Sequence, residues 1–459
     1  MTTPLFDALR ERLGPGRFLE GEAIPDRFCA DSARQAPVRP RAVALPASVE
    51  EVSAVLSLCH AQGQAVVPQG GRTGLCAAAH PAAGEIVLST EKLAGVEEID
   101  LDSGTLTALA GTTLQTVQQA AEDAGLLCGI DLGARGSCTI GGNVATNAGG
   151  NQVIRYGMTR RNVLGLEVVL ADGRVVRSLN KMLKNNTGYD WTQMFIGSEG
   201  TLGVITRVVM QLHARPQQVQ TALLAVADTQ RGLAVLRALE RALPAGLLVF
   251  EALWREMVEV ATQRVGLSCP ISEPQDLLIL VEAPMGEGGK ASFEAVLAEL
   301  FEQGLLVDAA VAESGAQRAR FWAMRESVYE YERVFGFVHG YDISVPLDRM
   351  AEAIALLRAA GPELPSGIRL VSFGHMADSN IHLLAVADRP GDADDAHDCD
   401  EVVYRCTHAV GGSISAEHGI GRLKRPYLGL SRTPTELELM GQMKQMLDPR
   451  GILNPGRVL

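Results

Sequence analysis

Leucines recur at positions 5, 9 and 13 in MTTPLFDALRERLG, with charged residues between them. That spacing predicts an amphipathic helix, with Thr3 as its cap, Pro4 in its first turn and Gly14 as its stop, and it reads as a helix rather than a signal peptide. Ser48 with Glu51 forms a capping-box pattern opening a second helix that Gly63 closes, and the strand AVVP follows. Thr112 with Gln115 opens another helix, closed by Gly125. In VLGLEVVLADGRVV (163–176) two apolar runs flank Asp172–Gly173, the signature of a hairpin. FIGSEGTLGVITRVVMQL (195–212) carries a glycine-rich turn into a strand. Beyond His213–Pro216 the pattern changes. Strands such as DLLILVEAP alternate with charged helices such as GAQRARFWAMRESVYEYERV, while EGGKAS and DRPGDADDAHD read as surface loops. The last 45 residues return to glycine-rich loops. The class is α+β, with expected parts at 1–213, 214–412 and 413–459.

Bulk properties exclude several functions. The net charge of −13, with no offsetting lysine or arginine run, argues against nucleic acid and anionic membrane surfaces. No apolar run reaches 18 residues, so no membrane span is expected. Eight cysteines without CxxC or framework spacing read as reduced thiols of a cytoplasmic protein.

Three stretches concentrate glycine beside strands: PQGGRTGL (68–75), DLGARGSCTIGGNVATNAGG (131–150) and FIGSEGTLGVIT (195–206). Glycine lets backbone approach a ligand and turn its N–H groups toward it, which suits phosphate. No GxGxxG follows a first strand, so ordinary dinucleotide binding is not indicated. Three such loops could hold one elongated ligand, or each could be a tight turn.

A second feature is FGHMADSNIHLLAV (373–386, beginning at Phe373). With Val371–Met376 as one strand, Ala377–Asn380 as a turn and Ile381–Val386 as the return, His375 and His382 would be directly opposed, roughly 5 Å apart at Cβ. They are then either two ligands of one ion or a buried histidine pair. SAEHG (415–419) adds Glu417 and His418, adjacent side chains that point different ways on an extended segment. Two histidines and a carboxylate can make a three-ligand metal site with open positions.

These stretches resemble the FAD-binding domain of the vanillyl-alcohol-oxidase/PCMH flavoprotein superfamily. RGSCTIGGNVATNAGGNQVIRYG, NVLGLEVVLADGRVV and NNTGYDWTQMFIGSEGTLGVIT are most similar to its D-2-hydroxy-acid dehydrogenases, the D-2-hydroxyglutarate and D-lactate group. The resemblance covers nearly the whole chain. It implies a two-subdomain PCMH-type FAD-binding domain and an FAD-linked-oxidase C-terminal domain with antiparallel sheet and helices. It also implies oxidation of a D-2-hydroxy acid to the 2-oxo acid, by hydride transfer to flavin. Pro68, Gly70, Gly71, Arg72, Thr73 and Gly74 would wrap the pyrophosphate. Ser137, Thr139, Ile140, Gly141, Gly142, Asn143, Thr146 and Gly150 would line the flavin, with Glu199, Gly203, Ile205 and Asn454 nearby. Cys76 and His80 follow the first loop without a covalent-attachment motif, so non-covalent FAD is expected.

By the same resemblance, His375, His382 and Glu417 bind a divalent ion, Zn²⁺ or alternatively Mn²⁺. His418 is the general base, Asn380 orients a ligand or the substrate, and Arg325 clamps the substrate carboxylate. The family's dicarboxylate-holding Thr, Lys and Asn are replaced by Tyr329, Gly340 and Leu384. That replacement points to an apolar D-2-hydroxy monocarboxylate such as D-lactate. His339 could supply a cation and keep D-2-hydroxyglutarate or D-malate as the alternative. A further alternative is an FAD-bearing subunit of a glycolate-oxidase-like complex. The expected partners are the hydroxy acid, an acceptor such as a quinone or an electron-transfer flavoprotein, and a second copy in a homodimer.

Overall fold

The computed structural model describes residues 4–272, 275–285 and 289–459. The chain divides into two compact units, one from Met1–Gly150, Tyr156–Arg215 and Glu417–Leu459, the other from Asn151–Arg155 and Pro216–Ala416.

In the first unit, the described residues form a four-stranded and a six-stranded sheet. In the smaller sheet the order is Phe18–Glu20, Ala42–Ala44, Ile86–Ser89, Val66–Gln69, antiparallel at the first pair and parallel thereafter. Leu5, Leu9 and Leu13 of the helix Pro4–Leu13 are buried in its core with Val52, Val55 and Leu56 of the helix Val49–Gln62. The expected Thr3 cap lies outside the described residues. The larger sheet is antiparallel and centres on the long strand Val204–Ala214, which pairs with Thr105–Leu109, Val163–Val169 and Leu126–Cys128. The hairpin Val163–Val169/Val175–Ser178 turns at Gly173, whose φ of 91° suits glycine.

Two helix starts differ in detail from expectation. Ser48 caps its helix, but the Glu51 carboxylate accepts from Ala47 N and pairs with Arg17 instead of returning to Ser48. The next cap is Thr113, not Thr112. The Thr112 hydroxyl bonds back to Leu109 and Gly95, leaving its neighbour to accept from Thr116 N.

The second unit is built on a seven-stranded antiparallel sheet among the described residues. Its order is Asp308–Val311, Val219–Val226, Leu277–Pro284, Val249–Trp254, Arg369–His375, Asn380–Ala387, Phe337–Ser344. One face carries Leu253, Leu278, Phe373 and Val386 against Met257 of the helix Arg255–Gln263 and Met324 of the helix Gly315–Glu326. The other face meets the helices Thr229–Ala242 and Ala393–Ala409, where Trp254 Nε1 donates to Thr229 and Tyr341 packs edge-on against Tyr404. Two expected loops are partly helical. Residues 289–292 of EGGKAS begin the helix Gly289–Glu302, the rest of that stretch lying outside the described residues. In DRPGDADDAHD, Asp392 and Asp395 form a reciprocal capping box that starts the helix Ala393–Ala409.

Candidate active site

Within the first unit the glycine-rich stretches converge. A Cβ on Gly70 would stand 2.5 Å from Thr139 Oγ1, and one on Gly71 would stand 2.1 Å from Ser137 O. Only glycine permits that approach. Thr139 caps the helix Ile140–Thr146 by accepting from Gly142 N, and Gly141 lies against Ala110. Arg72, Ala77, Asn147, Glu199 and Asn454 all hold positive φ, a strained backbone for L residues that clusters at ligand-binding loops. Gln69 Oε1 and Asn454 Oδ1 are buried acceptors with no hydrogen-bond donor. Such acceptors suit a ligand carrying its own donors, as a flavin and its ribityl chain do, and a Cβ on Gly74 of the same loop would meet nothing within 4 Å.

Glu199 works inside this unit as a fastener. Its buried carboxylate accepts from Ile420 N at 2.7 Å and Gly421 N at 2.8 Å, and its carbonyl accepts from Asn454 Nδ2 at 2.7 Å. Burial pushes its carboxyl up, opposed by those two N–H donors and by Lys424. Through its carboxylate and its carbonyl together, the residue ties three chain segments. Gly203 packs on Val168 and Phe195, and the Ile205 side chain lies in the hydrophobic core, so both support the loop from behind. Gly150 N donates to Glu417 Oε2 at 2.9 Å, holding the carboxylate expected to bind metal. His418 follows it, half-buried. The buried Cys76 thiol lies 3.2 Å from Gly419 O, and His80 faces Asp31 at 4.0 Å.

In the second unit one end of the sheet's helix-covered face is polar. His375 is paired across the sheet with Glu251, and its Nδ1 contacts Glu251 Oε1. Arg325, from the helix Gly315–Glu326, donates through Nε to Glu251 Oε2 at 2.6 Å, with its guanidinium 4.8 Å from the centre of the Phe373 ring. Burial alone would push the Glu251 carboxyl up, but His375 and Arg325 outweigh it and hold it at about 2. His382 stands opposite Asp342 in the sheet, with Nδ1 3.7 Å from Asp342 Oδ1. Asn380 Nδ2 donates to Asp342 Oδ1 at 2.6 Å, and Ala416 N donates to Asp342 Oδ2 at 3.1 Å. Asn380 therefore orients a carboxylate of the protein itself.

The two histidines come together with ring centroids 5.1 Å apart, but not in the expected register. The direct partner of His382 is Phe373, and His375 is diagonal to it. The turn contains a 3-10 segment, Met376–Asp378, and ends on Ser379 at φ 75°, while Gly374 sits at φ 144°. That geometry shifts the pairing and turns His375 toward Glu251.

The expected pocket residues separate. Tyr329 is 71% exposed, so it does not wall an enclosed pocket. His339 cannot supply a cation beside His382. It alternates with Gly340 and Asp342 along Phe337–Ser344, so it points to the opposite face, where Nε2 meets Asp400 Oδ1 at 2.9 Å. Gly340 and Leu384 do share the His382 face and are register partners.

Glu251 and Asp342 were missed by sequence reasoning. Each is a lone acid in an apolar strand, in VFEALW and VHGYDISV, and that isolation was the available signal.

Fold and site together define a flavoprotein of the vanillyl-alcohol-oxidase/PCMH type. The model of the FAD binding domain matches residues 40–178, and that of the C-terminal domain of FAD linked oxidases matches 215–458. The fold is similar to p-cresol methylhydroxylase (TM-score 0.80, 15% identity, covering 99% of this chain and 96% of that one). It is also similar to an alkyldihydroxyacetonephosphate synthase (TM-score 0.74, 16% identity, 99% and 86%). Among relatives, the chain is 39% identical to the mitochondrial D-2-hydroxyglutarate dehydrogenase of Bos taurus, over 98% of this chain and 83% of that protein. It is 38% identical to the D-2-hydroxyglutarate dehydrogenase of Xanthomonas citri pv. viticola, over 100% and 97%. The chain belongs to the FAD-dependent D-2-hydroxy-acid dehydrogenases of this superfamily and is an FAD-linked oxidoreductase acting on CH–OH donors. No helix among the described residues is long and apolar enough to cross a membrane.

Proposed function

We propose that the chain oxidises D-2-hydroxyglutarate to the 2-oxo acid. The observation that carries this is the charged end of the sheet face, where a buried guanidinium and two carboxylate-backed histidines gather, in a chain whose relatives are named for that substrate. Bound FAD would supply the two-electron acceptor, and a divalent ion on His375, His382 and Glu417 would act as a Lewis acid on the substrate hydroxyl. Arg325 has Nε committed to Glu251, so its terminal nitrogens grip the carboxylate next to the reacting carbon. His418 takes the hydroxyl proton. Asp342 and Glu251 hold the histidines in orientation. The flavin is held without a covalent bond, and residues 1–213, 214–412 and 413–459 act as FAD domain, substrate domain and returning segment. Electrons leave to a quinone or an electron-transfer flavoprotein.

The expectation of an apolar monocarboxylate becomes the second reading. Gly340 and Leu384 on the His382 face favour it, because they offer no polar partner to a distal carboxylate. Steady-state comparison of D-2-hydroxyglutarate, D-malate, D-lactate and D-mandelate decides between them. A preference for the first two supports the dicarboxylate, and a preference for the last two rejects it. Activity that survives complete chelation would remove the ion from the proposal, and yellow colour retained in an acid precipitate would make the flavin covalent.

A further inference from the structure

Glu251 is 1% exposed, and its two oxygens are divided between two functional groups: Oε2 accepts from Arg325 Nε at 2.6 Å, and Oε1 meets His375 Nδ1. We infer that Glu251 is a positioning residue that couples the substrate clamp to the metal ligand, so that Arg325 and the ion on His375 sense each other through one carboxylate. This rests on the clamp and metal assignments proposed above.

The geometry supports coupling over simple charge burial. Glu251 and His375 are register partners on neighbouring strands, so the sheet fixes their separation. A hydrogen bond from Nδ1–H to the carboxylate leaves the Nε2 lone pair for an ion and makes it a stronger donor. Arg325 comes from outside the sheet, on the helix Gly315–Glu326, and is stacked over Phe373. Its Nε draws on the same negative charge that His375 uses. With both oxygens buried, water cannot take over when either partner moves. A substrate carboxylate that pulls on the guanidinium would therefore return charge to His375 and tighten its hold on the ion. By linkage, a bound ion tightens the grip on the carboxylate.

The test measures ion affinity, not turnover. FAD-bound protein without substrate is titrated with Zn²⁺ against a competing chelator, in wild type, Glu251→Gln, Arg325→Met and the double variant. Glu251→Gln is expected to weaken Zn²⁺ by about 10–100-fold. Arg325→Met is expected to strengthen it several-fold in the wild-type background and by a much smaller factor when combined with Glu251→Gln. Equal factors in both backgrounds would overturn the coupling while leaving the ion in place. Wild-type protein that takes up no divalent ion would overturn the metal assignment itself, and the coupling with it. Flavin absorbance and a thermal melt check that each variant is folded. Should Glu251→Gln not fold, Glu251→Asp, which keeps the charge but draws it back by one methylene, carries the same cycle.

Discussion

In the flavin-loop unit, ligand space is made by what side chains lack. Gly70 and Gly71 press backbone against Thr139 and Ser137, Gly74 leaves a gap, and strained residues such as Arg72, Asn147 and Asn454 turn the chain between them. In the second unit the candidate site is made by what side chains add, namely Glu251, Asp342, Arg325, His375 and His382 on a regular sheet and one helix. The first arrangement is steric and should fail by clash. The second is electrostatic, and removing one member leaves another buried charge without compensation.

The largest expected effect follows from that electrostatic half. Arg325→Ala takes away the guanidinium and leaves Glu251 with His375 alone. Breaking a buried pair from one side costs about 3–5 kcal/mol of stability. Loss of the two charge-assisted hydrogen bonds proposed above to the substrate carboxylate should lower kcat/KM by at least about 100-fold. Melting curves and steady-state kinetics on the same preparation read both quantities, and near-wild-type values would refute the electrostatic account of this face.

The steric half is tested by a matched pair. Gly71→Ala drives a Cβ into Ser137 O and should cost about 3 kcal/mol, the upper part of the usual overpacking range, with or without FAD. Gly74→Ala meets no protein atom within 4 Å, so flavin-free stability should be unchanged and only FAD affinity should fall. Thermal melts of flavin-stripped protein separate the two. Equal destabilisation by both would mean that the gap beside Gly74 is not ligand space.

Glu199→Gln should have a smaller effect, about 1–3 kcal/mol, because an amide cannot accept from both Ile420 N and Gly421 N as two carboxylate oxygens do. The loss should appear together with faster FAD release, since releasing Ile420 and Gly421 loosens the backbone whose carbonyl holds Asn454. Denaturant unfolding and flavin off-rates measure it. Unchanged stability would mean the fastener contributes nothing.

The two halves were unequally legible in the sequence. The flavin loops are contiguous, so glycine-rich runs beside strands exposed them directly. The polar face gathers residues from positions 251, 325, 342, 375 and 382, and only sheet pairing, with one helix packed on it, places them side by side. The histidine hairpin was visible because it is local, but its register depended on a 3-10 turn and on the unusual φ of Gly374. His339 and Gly340 are adjacent on one strand, so their positions face opposite ways and cannot both line one face.

The smallest expected effect is a pH slope that sets the two buried glutamates against each other. The Glu251 carboxyl is lowered from its ordinary 4.5 to about 2, so its contribution is complete above the unfolded value and is lost as pH falls through the folded one. Only the top of that window is reached between pH 6 and 4, where the loss is about 1 kcal/mol. Glu199 has the opposite sign. Burial raises its carboxyl, so its contribution is greatest below the unfolded value and declines as pH rises through the raised one. Melts of wild type, Glu251→Gln and Glu199→Gln from pH 4 to 8 should show the first substitution flattening the acid limb and the second flattening the decline above it. The same slope change from both variants would show that the charge-built and backbone-built sites do not differ in the way their geometry requires.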